Sequence, residues 1–208
     1  NYKKTKRNFG DITVREVVFF SHNINKIKEV KSCFRYSKIK ILTLNDYPSV
    51  LEPKETGNTF KKNASIKSIF GYKYFKKPCF ADDSGICIEA LNYLPGVRSK
   101  RYLLKNGNIE NSLRKIISIA KLKKKYNAFF KSTIAFTSKS GSVVFFEGKI
   151  KGTISLKIKG PLSFAYDPIF VPLENKKTFA QMRPSEKNKI SHRGMALQKL
   201  KEFLLKTL

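Results

Sequence analysis

Asp82 and Asp83 are the only adjacent acids in a chain that carries 43 Lys and Arg against 15 Asp and Glu. Neighbouring carboxylates repel, which raises the pKa of one unless a cation screens them. A hard divalent ion such as Mg²⁺ would relieve that cost and take their oxygens as ligands. The pair follows the apolar run Pro78–Ala81 and precedes Ser84-Gly85, so it could sit at a strand end facing a crevice. Asp-Asp-Ser-Gly is also ordinary turn chemistry, and both readings stand at this level.

Three further stretches could act on an anion or a ring. In Ser21-His22-Asn23-Ile24-Asn25-Lys26 a polar turn leads from an apolar run into a helix, where free N–H groups and the positive dipole end favour a phosphate. A plain helix cap followed by a surface Lys is the alternative. No Walker A loop and no G-x-G-x-x-G occurs, so a phosphate would have to be held by side chains and this one helix start. In 185–194, SEKNKISHRG, Ser191 reads as the cap of the last helix, with His192 and Arg193 in its first turn. Arg is a poor choice there, against the dipole, which hints at function. Phe164-Ala165-Tyr166-Asp167-Pro168 sets two aromatics beside an acid. It reads either as a packed turn or as a site that stacks on a base and accepts a ring N–H.

The elements that must position these residues follow from periodicity. Residues 16–20 form a short apolar strand, with a helix from Ile24 whose Ile27, Val30 and Phe34 share a face. A second strand is expected over 39–44, and a helix over 59–74 capped by Thr59. The inner face of that helix is expected from Phe60, Ala64, Ile66 or Lys67, and Ile69-Phe70. The residues 78–81 read as a brief strand, then a turn at 82–85 and an apolar segment over 86–91. Helices are expected over 110–125 and from 191 to the end. Strands over 127–137 and 142–150 flank Ser138–Gly141 as an antiparallel hairpin. The expected fold is α/β, one domain over 15–208 preceded by a basic, flexible tail over 1–14.

Composition bounds the partners. The formal net charge is +28, with 41% hydrophobic and 12% aromatic residues, too much apolar content for a disordered chain. The first partner class this charge suggests is a polyanion, nucleic acid or an acidic membrane surface. Cues for an RNP strand, a helix-turn-helix or a zinc module are missing. Cys33, Cys79 and Cys87 show no metal spacing and read as reduced thiols of a cytoplasmic protein. No apolar run reaches the ~20 residues that span a bilayer.

The order of the stretches VVFFSHNINKIKEV, KETGNTFKKNASIK, FADDSGICIEAL with PGVRSKRY, FAYDPIFVP, and TFAQMRPSEKNKISHRGMALQKLKEFL over residues 16–205 is specific. The sequence resembles the inosine/xanthosine triphosphate pyrophosphatase family. The resemblance implies an elongated two-lobed α/β protein, a mixed sheet flanked by helices with the cleft between lobes. It implies a homodimer that uses Mg²⁺ to hydrolyse ITP, dITP and XTP to the monophosphate and pyrophosphate. By the same resemblance Asp83 is the catalytic carboxylate, and Glu55, Asp82 and Asp83 are the metal set. Ser21, His22, Asn23, Lys26, Asn63, Lys67 and Ser84 bind phosphates. Phe164, Ala165, Tyr166, Asp167, Lys187, His192 and Arg193 recognise the base. Nucleic acid is not an expected partner on this reading. The competing readings are a basic nucleic-acid-binding protein and a related or degenerate pyrophosphatase with altered base preference. Ala165 stands where the family has Gly; if the loop needs positive φ there, Ala costs about 1–2 kcal/mol. Arg98, Lys100, Leu103 and Leu104 also depart from the family pattern.

Overall fold

The computed structural model describes residues 15–162 and 164–207. The basic tail expected over 1–14 lies outside the described residues. Strand β1 (Arg15–Phe19) leads through Ser21–Asn23 into α1 (Ile24–Phe34). Asn23 is extended, and its Oδ1 accepts the Asn25 and Lys26 N–H groups, which is why the helix starts there. Strand β2 (Ile39–Thr43) lies parallel to β1. Helix α2 (Phe60–Phe75) is capped by Thr59, whose Oγ1 accepts the Lys62 N–H.

Strand β3 (Cys79–Ile88) is followed by the short β4 (Leu94–Pro95), then by α3 (Ser99–Leu104) and α4 (Ile109–Lys123). Strands β5 (Asn127–Thr137) and β6 (Val143–Ile154) form the expected hairpin. Strand β7 (Phe170–Pro172), α5 (Pro184–Ile190) and α6 (His192–Thr207) complete the described chain. The sheet order is β2-β1-β3-β5-β6-β7, with β4 on β3. β1 pairs parallel with β2 and β3, and the remaining pairs are antiparallel.

The long strands β3, β5 and β6 join two packed ends. At one end Ile86, Ile88 and Phe130 meet Leu113, Ile116 and Phe179. At the other, Phe80, Ile134 and Phe136 meet Val30, Leu197 and Leu200. Asp82–Gly85 lies between them. The sheet is therefore mixed and flanked by helices, as expected from the sequence.

Several local expectations are corrected. Asp82-Asp83-Ser84-Gly85 is not a turn: β3 runs unbroken through it, with Asp82 opposite Ile134 and Asp83 opposite Thr133 on β5. Ladder pairing outweighs local turn preference because cations from three helices meet the buried acids. The inner face of α2 is polar and small, Asn63, Ala64, Lys67, Ser68 and Gly71, while Phe70 stays exposed. That face covers the acids rather than an apolar core. Helices α3 and α5 and strand β7 were not anticipated, being too short to show a period.

Gly148, in mid-β6, lets the start of α6 lie against the sheet. A Cβ there would stand 1.9 Å from the His192 carbonyl oxygen, a backbone atom that cannot turn aside. Gly148→Ala should lower stability by about 2 kcal/mol or more, a Tm loss of roughly 4–8 °C for a chain of this size. Thermal unfolding measures it; an unchanged Tm would show that α6 does not sit as described.

Candidate active site

Alternation along β3 sends adjacent side chains to opposite faces, so Asp82 and Asp83 live in different surroundings. Asp82 is 1% exposed. Its Oδ2 accepts from Arg193 Nε at 2.9 Å and from Ser84 Oγ at 3.3 Å, and Lys26 Nζ lies 2.9 Å from Oδ1. Burial pushes this carboxyl up, but Lys26, Arg193 and Lys67 outweigh it and hold it well below the ordinary range. Lys67 Nζ donates to the Asp82 carbonyl and to Glu55 Oε1, each at 2.7 Å. Burial lowers the Lys67 pKa, but Asp82, Glu55 and Asp83 raise it further, so it stays charged.

Asp83 faces α2. Asn63 Nδ2 donates to its Oδ2 at 2.9 Å and the Ser84 N–H to its Oδ1 at 3.0 Å. The Asn63 amide is itself fixed, its Oδ1 accepting the Gly57 N–H at 2.8 Å. No cation bonds to Asp83 among the described residues. Burial pushes its carboxyl up to about 6, with the Glu55 charge adding to the rise against Lys67. For Glu55, burial acts upward, but Lys67 brings the net direction down.

A second cluster lies beside the first. Lys187 Nζ donates to Asp167 Oδ2 at 2.6 Å and lies 3.3 Å from Glu29 Oε1. Arg193 Nη1 donates to Glu29 Oε2, and its Nη2 to Ser84 Oγ at 2.7 Å. Phe164 presents its ring 4.0 Å from Lys187 Nζ and 5.9 Å from the Arg193 guanidinium carbon. Burial pushes the Asp167 carboxyl up to about 6, and its Oδ1 is buried without a hydrogen-bond partner. Ala165 has φ +45, the left-handed conformation whose cost was foreseen. On either side of it, Phe164 faces the cations and Tyr166 lies in the core.

The structure thus gathers Lys26, Glu55, Asn63, Lys67, Asp82, Asp83, Ser84, Phe164, Asp167, Lys187 and Arg193. Four expected contacts are placed differently. His22 is turned outward, its Nδ1 3.4 Å from Glu52 and its N–H donating to the same carboxylate. Ser21 Oγ accepts the Asn23 N–H and shapes the turn. Tyr166 is 1% exposed, and its hydroxyl donates to the Ser99 carbonyl at 2.7 Å. The His192 ring is buried parallel to Phe130, centroids 4.6 Å apart, and burial drives its pKa well down. Glu29 was missed. It joins both cations of the second cluster, and the available signal was that it is the one acid in α1.

Glu55 and Asp83 are the carboxylates that could hold a divalent cation; Asp82, expected with them, is engaged by Lys26 and Arg193. Their chemistry fits: both are hard oxygen ligands, and the Glu55 charge already presses on Asp83. Among the described residues no group of three or more His, Cys, Asp or Glu could hold a metal alone. A cation here would complete its shell with water and substrate oxygens, as Mg²⁺ commonly does.

A mixed α/β sheet that sets a desolvated carboxylate beside buried cations is a frame suited to an anionic ligand. The chain belongs to the Ham1 family, whose model matches residues 17–203. It is 42% identical over 205 residues to the dITP/XTP pyrophosphatase of Borrelia duttonii, covering 94% of this chain and 100% of that one. It is 36% identical to the dITP/XTP pyrophosphatase of Porphyromonas gingivalis, covering 92% and 98%. The solved HAM1 protein of Coxiella burnetii superposes with a TM-score of 0.83 at 35% identity, covering 93% of this chain and all of that one.

The two acids should respond oppositely to removal of charge. Asp83 has a folded pKa above its unfolded value of 3.8, so its ionisation costs stability above about pH 6, and the cost fades as pH falls toward 4. Metal-free Asp83→Asn should therefore be more stable than the parent at pH 8, by roughly 1–3 kcal/mol, with the gain shrinking below pH 6. Asp82 is lowered, so its contribution is present above its unfolded pKa. Asp82→Asn should cost about 3–5 kcal/mol at pH 7, because Lys26 and Arg193 lose their counter-charge. Urea unfolding at several pH values checks both; equal losses at pH 8 would contradict the assignment.

Proposed function

We propose that this protein hydrolyses deaminated purine nucleoside triphosphates, dITP, ITP and XTP, to the monophosphate and pyrophosphate. The observation that carries the proposal is the desolvated Asp83 carboxylate, hydrogen-bonded to no cation among the described residues yet near Glu55 and the buried ammonium of Lys67.

The triphosphate would lie along the α1 start, with Lys26, Lys67 and the Asn23-capped helix end meeting its negative charge. When bound, Mg²⁺ held by Glu55 and Asp83 would neutralise charge on the bridging phosphate oxygens. Asp83 orients the attacking water and takes its proton as the water oxygen bonds to the α-phosphorus and the bond to the β-phosphate oxygen breaks. Metal-free, burial holds this carboxyl at about 6, so at neutral pH it is ionised and can both take the cation and accept from the water. Asp82, saturated by Lys26 and Arg193, is assigned the role of anchor rather than metal ligand.

Selectivity against adenine follows from Lys187 and Asp167. Hypoxanthine and xanthine carry a 6-oxo acceptor and a protonated N1. The Lys187 ammonium can donate to the oxo group, the free Asp167 Oδ1 can accept the N1–H, and Phe164 can stack on the ring. Adenine offers a 6-amino donor and an unprotonated N1, so it would set a donor against the ammonium and an acceptor against the Asp167 oxygen. Arg193, with Nε, Nη1 and Nη2 all engaged, holds this arrangement in place.

A homodimer and a cytoplasmic location complete the proposal, on the strength of the family resemblance. No helix among the described residues is long and apolar enough to cross a membrane.

A panel of triphosphates with separate detection of pyrophosphate and orthophosphate tests the proposal. The expected result is pyrophosphate from ITP, dITP and XTP with kcat/KM at least ~100-fold above ATP, and loss of turnover on chelation that Mg²⁺ restores. Equal rates on ATP would remove the base selectivity, and orthophosphate as first product would move the attack from the α-phosphorus.

A further inference from the structure

One cation at the edge of the site, Arg101 on α3, has no part in the reaction proposed above, and several contacts fix where it stands. Strand alternation puts Gly85 on the same face of β3 as Asp83. The turn before α3 rests on that glycine: a Cβ at Gly85 would stand 2.2 Å from the Gly96 carbonyl oxygen and 2.4 Å from Ser99 Oγ. Ser99 Oγ accepts the Ile86 N–H at 3.0 Å and donates to the Gly96 carbonyl at 2.6 Å. Helix α3 is thus pinned to β3 close to Asp83, with Arg101 two residues beyond Ser99. Arg101 Nη2 donates to the Glu55 carbonyl at 3.1 Å, so the guanidinium lies against the segment whose Glu55 side chain meets Lys67.

The edge of β3 is open at this point. Strand β1 pairs with β3 only as far as Phe80, and β4 joins it at Cys87. A ligand crossing that edge meets Ser84, Arg193 and the second cluster on one face, and Asp83, Glu55 and Arg101 on the other. Charge separates Arg101 from the other cations there. Lys26, Lys67, Lys187 and Arg193 each lie within 2.9 Å of a carboxylate oxygen. A phosphate must share each of them with that carboxylate. The one polar bond of Arg101 among the described residues is to a neutral carbonyl, and no carboxylate pairs with it. The side chain is exposed, so its remaining N–H groups are free to turn to a ligand.

We propose that Arg101 is a further phosphate-binding residue, which grips the pyrophosphate end of the triphosphate as it becomes the leaving group. The assignment rests on the reaction proposed above. There the water oxygen bonds to the α-phosphorus, the bond to the β-phosphate oxygen breaks, and its electron pair leaves with pyrophosphate. A cation with no carboxylate of its own to satisfy can answer that growing charge in full. The planar guanidinium also takes two phosphate oxygens at once, which an ammonium cannot. With Nη2 kept on the Glu55 carbonyl, the same side chain holds the Glu55 segment against the bound phosphates.

Calorimetric titration of the full chain with inorganic pyrophosphate in Mg²⁺, and separately with IMP, tests the proposal. Arg101→Gln should weaken pyrophosphate at least about tenfold, as loss of a charge-assisted pair does, and IMP less than about twofold. Arg101→Lys should recover part of the loss, since it keeps the charge without the fork. Lys100→Gln, which removes the adjacent exposed cation, should leave both affinities near those of the parent. Equal weakening of IMP and pyrophosphate by Arg101→Gln would show that Arg101 only ties down the Glu55 segment. Equal weakening of pyrophosphate by Lys100→Gln would show diffuse charge attraction. Either result, or unchanged pyrophosphate binding in Arg101→Gln, overturns the proposal. A parent that releases orthophosphate from ITP yet binds pyrophosphate through Arg101 would fault the proposed reaction and not the residue.

Discussion

A single buried carboxylate sets the geometry of this molecule. Asp82 sits in mid-strand, ionised and almost without solvent, where an uncompensated charge would cost several kcal/mol. Relief comes from Lys26 on α1, Arg193 on α6 and, through the backbone carbonyl, Lys67 on α2. Arg193 stands 111 residues from Asp82 in the chain. Satisfying one charge therefore brings the first, second and last helices to the same point of the sheet. That convergence creates the space in which everything else works.

The neighbour of the anchor is free because the anchor is held. Strand alternation turns Asp83 away from Arg193 and from direct bonds to Lys26 and Lys67, so two identical side chains acquire opposite protonation behaviour. The same economy governs the second cluster, where Glu29 balances both Arg193 and Lys187. Five of the chain's fifteen carboxylates, Glu29, Glu55, Asp82, Asp83 and Asp167, gather around Lys26, Lys67, Lys187 and Arg193. In a chain of net charge +28 the active site is thus close to neutral. On the proposed function its affinity for a triphosphate would rest on placed cations and a metal, not on the overall field.

What could be read from residues alone followed from how local each determinant is. The start of α1 was legible because Asn23 caps it through contacts two and three residues away. The β5–β6 hairpin was legible from its alternation and from Ser138–Gly141. Asp82–Gly85 was misread as a turn because its local chemistry favours one, while the deciding partners lie on distant helices. Residues expected to touch substrate by position, Tyr166 and His192, turn inward, since a ring beside a polar neighbour can point either way until the core is known. Glu29 escaped notice as one more charge on an amphipathic helix; only its partners distinguish it.

The central claim is that the paired acids are divided into a permanently ionised anchor and a carboxylate that titrates near neutrality. Carbon-13 NMR of the aspartate side-chain carboxyls in the metal-free protein, resolved by comparison with Asp82→Asn and Asp83→Asn, measures this directly. The account predicts that Asp83 titrates with a midpoint near 6 and that Asp82 shows no titration until acid unfolds the chain. Two carboxyls titrating together near the ordinary value of 3.8, or Asp82 as the one with the raised midpoint, would contradict it.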